Sequence, residues 1–266
     1  MMRISLEARI ACRRTPPGGA ACARMVDVGG AHPASTHCTN CRLRQLCLPV
    51  GLSGDEIDSL DAAIHARRRV PKGTSAFHAG DALGNLYAIR LGSFKTSVST
   101  ADGREQVTGF HLPGELLGLD AIGSGRHPSD AIALEDSELC VVPYAQLEAL
   151  SARFARIGRN FHRLMSREVA SGQNIMLLLG RMSAEERLAT FLLSLSQRWA
   201  ALGFSAQDFV LRMSREEIGN YLGLKLETVS RMFGRLADRG LIEVRQREVR
   251  LLDARGLEAL VGAAVD

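Results

Sequence analysis

Residues 214–234 read SREEIGNYLGLKLETVSRMFG. Ser214 and Glu217 have the spacing of a capping box, in which a hydroxyl and a carboxylate satisfy the open N–H groups at a helix start. Ile218, Tyr221 and Leu222 then form one buried face, and Gly223 ends the helix and allows a sharp turn. A second helix from about Leu226 buries Val229, Met232 and Phe233 and leaves Glu227, Thr228, Ser230, Arg231 and Arg235 outward. Helix, glycine turn and helix is the grammar of a helix-turn-helix, whose second helix enters the major groove of DNA. The outward residues suit base reading. Arg bonds guanine O6 and N7, Glu accepts from cytosine N4, and Ser bonds either kind of edge. Gly240 leads into LIEV (241–244) and EVRL (248–251), a hairpin. That makes a wing, with Arg245 and Arg247 at its tip for phosphates. A plain helical hairpin with solvated charges accounts for the two helices but not for cap, turn glycine and wing together.

Upstream, Ser183-Ala184-Glu185-Glu186 is a second capping box, followed by Leu188, Phe191, Leu192 and Leu195, and it opens a C-terminal domain (183–266). Residues 146–182 are helical in pattern and carry two apolar stripes. Ile157, Phe161, Leu164, Ile175 and Leu178 form one. His162, Met165, Val169, Gly172, Met176 and Leu179 form the other, at spacing 3, 4, 3, 4, 3. The second is a coiled-coil type seam that needs a partner helix, so the spacing predicts a dimer axis along 149–182. The alternative turns both stripes into one monomer core. Gly172 costs the helix roughly 1 kcal/mol relative to Ala.

Between about 70 and 145 the pattern becomes strand-like. LYAI (86–89), FKTSV (94–98) and QVTGF (106–110) are punctuated by Gly73, Gly80, Gly92, Gly103 and Gly114. Short strands with regular glycine turns point to an antiparallel sandwich or barrel, and Asp102-Gly103 reads as a tight hairpin turn. Residues 54–64, with Ile57, Leu60, Ala63 and Ile64, read as a short amphipathic helix.

Before that helix lies CTNCRLRQLC (38–47), three thiols spaced C-x2-C-x5-C. Closely spaced thiolates select zinc or iron–sulfur clusters over hard cations. Three is one too few for a four-cysteine site, so a fourth ligand is required from elsewhere. Residues 1–36 have no sustained period and read as a mobile arm containing Cys12 and Cys22, with Met25 a candidate translation start.

The 266 residues are 46% hydrophobic and 23% charged, enough to bury a real core. Net charge is +4 and pI about 8.9, compatible with nucleic acid. There is no apolar run of membrane-spanning length and no secretory core, so a cytoplasmic protein is expected. There six cysteines read as ligands or free thiols rather than disulfides. An iron–sulfur enzyme would need acid/base groups in a pocket. His65, His78 and His111 are scattered singly, with no nucleophile–base grouping, so no enzyme is expected.

At this point the residues carry a family. From about Cys38 to about Leu260 the chain resembles the CRP/FNR superfamily of transcription regulators, and most closely its oxygen-sensing FNR type. The resemblance is carried by CTNCRLRQLCLPVGL (38–52), LYAIRLGSFK (86–95), GFHLPGELLGLDAIGSG (109–125), ALEDSELCVVP (133–143), AEERLATFLLSLS (184–196) and IGNYLGLKLETVSR (218–231). It implies an α+β fold: a cysteine segment (37–52), a cyclic-nucleotide-binding-like β-roll, or double-stranded β-helix (53–148), a long dimerisation helix and a C-terminal winged helix-turn-helix. It implies an oxygen-labile 4Fe–4S cluster on Cys38, Cys41, Cys47 and Cys140, with Cys12 and Cys22 as free thiols. Cys140 as a buried small hydrophobe, and a zinc site completed by Cys22, are the competing readings.

The resemblance also implies a homodimer on palindromic TTGAT-type DNA read by Glu227, Ser230 and Arg231, contact with RNA polymerase, and no membrane. Its mechanism would be loss of the dimer when oxygen destroys the cluster. A zinc or thiol redox switch is the main rival. Cyclic nucleotide is not expected: Pro113-Gly114-Glu115-Leu116 matches the start of that pocket, but His127-Pro128-Ser129-Asp130 stands where the phosphate-holding arginine belongs, with Arg126 nearby. Lys225 departs from the small capping Thr of relatives, which weakens the cap but places a cation near the DNA backbone.

Overall fold

The computed structural model describes residues 37–64, 66–99 and 102–262. The arm over 1–36, with Cys12, Cys22 and Met25, and also His65, lie outside the described residues.

A short helix, α1 (Gly54–Ala63), follows the cysteine segment. Its expected Ile57, Leu60 and Ala63 are buried, and Ser53 and Glu56 cap it reciprocally. Strands β1 (Ala66–Val70), β2 (Ser75–Phe77), β3 (Asn85–Leu91), β4 (Phe94–Ser99), β5 (Glu105–His111), β6 (Leu116–Leu117), β7 (Asp130–Ala133) and β8 (Ser137–Pro143) follow. They form two antiparallel sheets of order β1-β8-β3-β6 and β2-β7-β4-β5. The glycine punctuation predicts an antiparallel sandwich or barrel, and the two sheets form the roll that the resemblance implies. The β4–β5 connection is wider than a tight turn, however. Ser99 pairs with Glu105, so the strands are joined by 100–104, and within it Asp102 accepts a bond from Arg104 Nε at 2.8 Å.

Alternation along the strands sorts side chains between two cores. Ile89, Phe94, Leu117 and Leu139 fill the space between the sheets. Leu86, Ala88 and Val142 point the other way and meet Leu48, Leu52, α1 and the first turns of the long helix. Cys140 shares this outer face, directly opposite Ala88 in the β3–β8 register.

The helical stretch expected over 146–182 divides at Phe154, whose extended backbone separates α2 (Tyr144–Arg153) from α3 (Ala155–Arg181). Gly158 makes the fold-back possible, since a Cβ there would stand 3.2 Å from the Ser151 carbonyl oxygen. At 27 residues α3 is about 40 Å long.

After α3 come α4 (Ala184–Ala201), β9 (Asp208–Val210), α5 (Arg215–Leu222), α6 (Leu226–Asp238), β10 (Ile242–Arg245), β11 (Glu248–Leu251) and α7 (Ala254–Gly262). Both predicted capping boxes form, at Ser183/Glu186 and at Ser214/Glu217. The wing gains a third strand that the sequence pattern did not reveal, because β9 has three residues and no alternation to read. The C-terminal domain packs on the roll. Phe110 of β5 meets Phe191 and Tyr221. Arg198 donates to both carboxylate oxygens of Glu115, at 3.0 and 2.7 Å, and to the Phe110 carbonyl. Asn220 of α5 accepts from the Val107 N–H and donates to the Glu105 carbonyl at 2.6 Å.

Candidate functional site

Cys38 opens a single 3-10 turn, and its N–H donates to Asp61 Oδ1 of α1 at 2.6 Å. The chain then winds through turns closed by Arg44 N–H to the Cys41 carbonyl and Cys47 N–H to the Leu43 carbonyl. This winding turns Cys38, Cys41 and Cys47 toward the roll. There they line one cavity together with Cys140 of β8. The remaining lining is apolar, from Leu48, Leu60, Ile64, Ala88 and Val142, with the side chains of Arg44 and Arg90 at the wall.

The structure therefore brings the three clustered thiols and the sequence-remote Cys140 to one place. Burial pushes the Cys47 thiol up to about 12, against a backbone N–H from Leu48 that favours the thiolate. Burial also raises Cys38 strongly, and Asp61 adds to the effect through its hydrogen bond and charge. Cys140 is raised by burial and by Cys41, while Arg67 and Arg90 pull it down. Left to themselves Cys38, Cys47 and Cys140 hold their protons, and a bound soft-metal cation is what would convert them to thiolates. Among the described residues, no three His, Cys, Asp or Glu side chains are grouped closely enough for a single metal ion. A single tetrahedral zinc would need its sulfurs drawn to about 2.3 Å from one point. Four cysteine donors suit a soft metal centre, whether one zinc ion or an iron–sulfur cluster. Arg67 and Arg90 favour a thiolate at Cys140, and Glu138, which pairs with both, opposes them.

In the helix-turn-helix, Gly223 adopts a left-handed conformation (φ +64°) and caps α5. Gly219 allows the closest approach in the motif: a Cβ there would meet the Leu224 carbonyl oxygen at 2.6 Å. Val229, Met232, Phe233 and Leu236 are the buried face of α6. Glu227, Ser230, Arg231 and Arg235 are exposed, as is Lys225 at the N-cap, and Thr228 is half-buried. Lys225 makes no side-chain cap bond, as its residue type predicts. At the wing, Arg245 is held by Glu243 and Arg247 reaches the Arg212 carbonyl. Gln246 takes the positive φ of the tip.

The two stripes of α3 separate. Ile157, Phe161 and Leu178 are buried within the protomer. His162 and Gly172 of the other stripe are exposed, and Val169 and Met176 are 62% and 68% exposed. Met165 and Leu179, near the two ends, are half-buried.

The place of a nucleotide-holding arginine is filled from inside. His127 is 3% exposed, and its ring stacks on Phe77 with centroids 3.8 Å apart. Burial lowers its pKa, against Asp120 and Asp81, which favour the charged ring. Ser129 bonds Asp120, Asp130 accepts from the Ala79 N–H, and the exposed Arg126 donates outward to the Gly80 carbonyl.

Sequence reasoning passed over two polar residues that the structure makes prominent. Asn160 is buried on α3 and donates to the Leu48 and Val50 carbonyls. Asn220 bonds the edge of β5. The signal for Asn160 was present, as a polar side chain inside the 157/161/164 stripe. Asn220 had none, because its partners are backbone groups more than a hundred residues away.

A roll, a long helix and a winged helix-turn-helix together define a DNA-binding transcription regulator. Residues 67–154 match the cyclic nucleotide-binding domain and residues 186–260 the Crp-like helix-turn-helix domain. The chain is 49% identical over 230 residues to the transcriptional regulatory protein btr of Bordetella pertussis, covering 86% of this chain and 95% of that one. It is 46% identical to the transcriptional activator protein FnrA of Stutzerimonas stutzeri, covering 86% and 94%. The solved structure of FixK2 from Bradyrhizobium japonicum superposes with TM-score 0.67 at 32% identity, covering 73% of this chain and 96% of that one. The chain belongs to the CRP/FNR family of transcription regulators, in its FNR branch. It is a regulator and not an enzyme. No helix among the described residues is long and apolar enough to cross a membrane.

Proposed function

We propose that this protein is an oxygen-responsive regulator of the cytoplasm. It carries a 4Fe–4S cluster on Cys38, Cys41, Cys47 and Cys140 and binds palindromic TTGAT-type DNA as a homodimer. The observation that carries the reading is the meeting of those four thiols around one cavity. When bound, the cluster supplies an oxygen-reactive centre.

The protein's own residues do the rest. Cys140 anchors the cysteine segment (37–52) to the roll, and Arg44 and Arg90 offset charge at the cavity wall. His162, Met165, Val169, Gly172, Met176 and Leu179 pair with the same residues of a second copy, which gives the exposed Val169 and Met176 a partner. Pairing places two α6 helices about 34 Å apart, one turn of DNA. Glu227, Ser230 and Arg231 read base edges, with Thr228, Arg235 and Lys225 beside them. The DNA-bound dimer activates, and at some promoters represses, genes of anaerobic metabolism through RNA polymerase. His127 stacked on Phe77 supports a roll that takes no cyclic nucleotide.

The test is the visible spectrum of anaerobically purified protein. Wild type is expected to be brown, to absorb near 400 nm and to bleach in air, and Cys140→Ala to lack the band. A colourless protein with stoichiometric zinc would replace this reading with a zinc or thiol switch.

A further inference from the structure

A sensor at residues 38–47 is useful only if its state reaches the dimer seam on α3. The direct polar contact between them is made by Asn160. It lies on α3 two residues before His162, the first residue of the seam. Its side chain is buried, at 5% exposure. Its amide Nδ2 donates to the Leu48 carbonyl at 3.0 Å and to the Val50 carbonyl at 2.7 Å. Those carbonyls follow Cys47 by one and three residues, and Leu48 itself lines the thiol cavity. Around the amide, Leu48 and Leu52 pack in the same core as Ile157 and Phe161, with Cys47 and Cys140 at its margin.

A buried amide that spends both donor hydrogens on one loop fixes that loop in position and orientation, which apolar packing does not do. An ion pair also links this part of α3 to α1, Arg156 with Glu56 at 3.7 Å, but Arg156 is 56% exposed and such a pair contributes little.

We propose that Asn160 is the positioning residue that couples the cysteine segment to the dimer helix. With the segment held by its cysteines, the Leu48 and Val50 carbonyls stand where Asn160 needs them, and the first turns of α3 keep the pitch that aligns the seam. When the segment is released, the carbonyls leave, the buried amide loses its partners, and the start of α3 shifts to satisfy it. The coupling is thus a difference in Asn160 bonding between two states, which is what an allosteric free energy requires.

This inference rests on the cluster reading above, and its test separates the two. The dimer dissociation constant is measured by sedimentation for anaerobic protein and for the same protein after air, with iron, sulfide and the band near 400 nm recorded for each. Wild type is expected to dimerise at least about tenfold more weakly after air. Asn160→Ala is expected to load the same iron and sulfide, yet to show a ratio near one. Asn160→Asp keeps the shape without the two donors. It is expected to behave alike, and it stands in if the alanine variant does not fold. Either variant keeping the wild-type ratio at full loading overturns the assignment. A wild-type ratio of one overturns the oxygen-responsive reading itself.

Discussion

Replacing Gly219 by Ala sets two effects against each other. Alanine gains about 1 kcal/mol of helix propensity over glycine, so on propensity alone α5 would be strengthened. The new Cβ, however, would stand 2.6 Å from the Leu224 carbonyl oxygen and 3.3 Å from Val229 Cγ2. Val229 can yield by a few tenths of an ångström. The Leu224 oxygen belongs to the backbone, and the Leu224 N–H is itself held by the Gly219 carbonyl at 2.8 Å. Overpacking against a group that cannot rotate away costs about 1–3 kcal/mol, so after the propensity gain the net expectation is a loss of up to about 2 kcal/mol. In a chain of this size that lowers the melting temperature by several degrees, about 2–4 °C per kcal/mol.

The readout that matters more is DNA affinity, because moving Leu224 moves Lys225 and the first turn of α6. Good base contacts contribute about 1–3 kcal/mol each, so affinity for a TTGAT-type palindrome should fall about tenfold or more. Thermal melting followed by fluorescence, and anisotropy titration of labelled duplex, measure the two. A Gly219→Ala protein that melts as high as wild type and binds as tightly would refute the packing argument.

Three further expectations follow from the same geometry. Met176→Glu places a charge in the proposed seam and should raise the dimer dissociation constant at least about tenfold in sedimentation, and an unchanged constant would remove Met176 from the interface. Arg231→Ala should cost about 1–3 kcal/mol at one base position and relax the preference there, whereas a loss equal on all sequences would make it a phosphate contact. For Glu217, burial alone would raise the pKa, but the Ser214 N–H and Lys95 override it and hold the carboxyl below its usual value. Its stabilising contribution is therefore present above the ordinary carboxylate pKa and lost as pH falls through the lowered one. Glu217→Gln should flatten that acid limb of a pH–stability profile, and an identical limb would show that Glu217 does not shape it.

Local pattern made much of this architecture readable. Both capping boxes, the turn at Gly223 and the buried face of α6 are set by neighbours within a few residues, where side-chain type decides the conformation. The five glycines that punctuate the roll all take positive φ, from 77° at Gly73 to 90° at Gly80 and Gly114, which is why their spacing announced turns. The break at Phe154 was not readable, since neither Pro nor Gly marks it and the close approach of Gly158 to Ser151 is a tertiary fact. The meeting of Cys140 with the other three thiols was open to resemblance but not to spacing. It depends on strand parity, by which residues 140 and 142 share a face with Ala88. Asn160 could have been flagged as a misplaced polar residue, but its partners could not, because backbone carbonyls leave no trace in a sequence.

The bond between Asn220 and β5 has a bearing on solubility. A β-sheet ends in strands with unpaired N–H and C=O groups, and such an edge recruits other chains into aggregates unless it is blunted. The roll has four edges. β6 and β2 are only two and three residues long, and β1 carries Arg67, Arg68 and Arg69 in a row, charges that repel a second strand. β5 has seven residues and neither device; instead Asn220 occupies its Val107 N–H and Glu105 C=O, as a neighbouring strand would. The DNA-reading domain thus doubles as the cover of the one long bare margin of the roll. Separating the two would uncover a surface prone to intermolecular pairing, so a truncated chain ending after α3 should precipitate where the whole protein stays in solution.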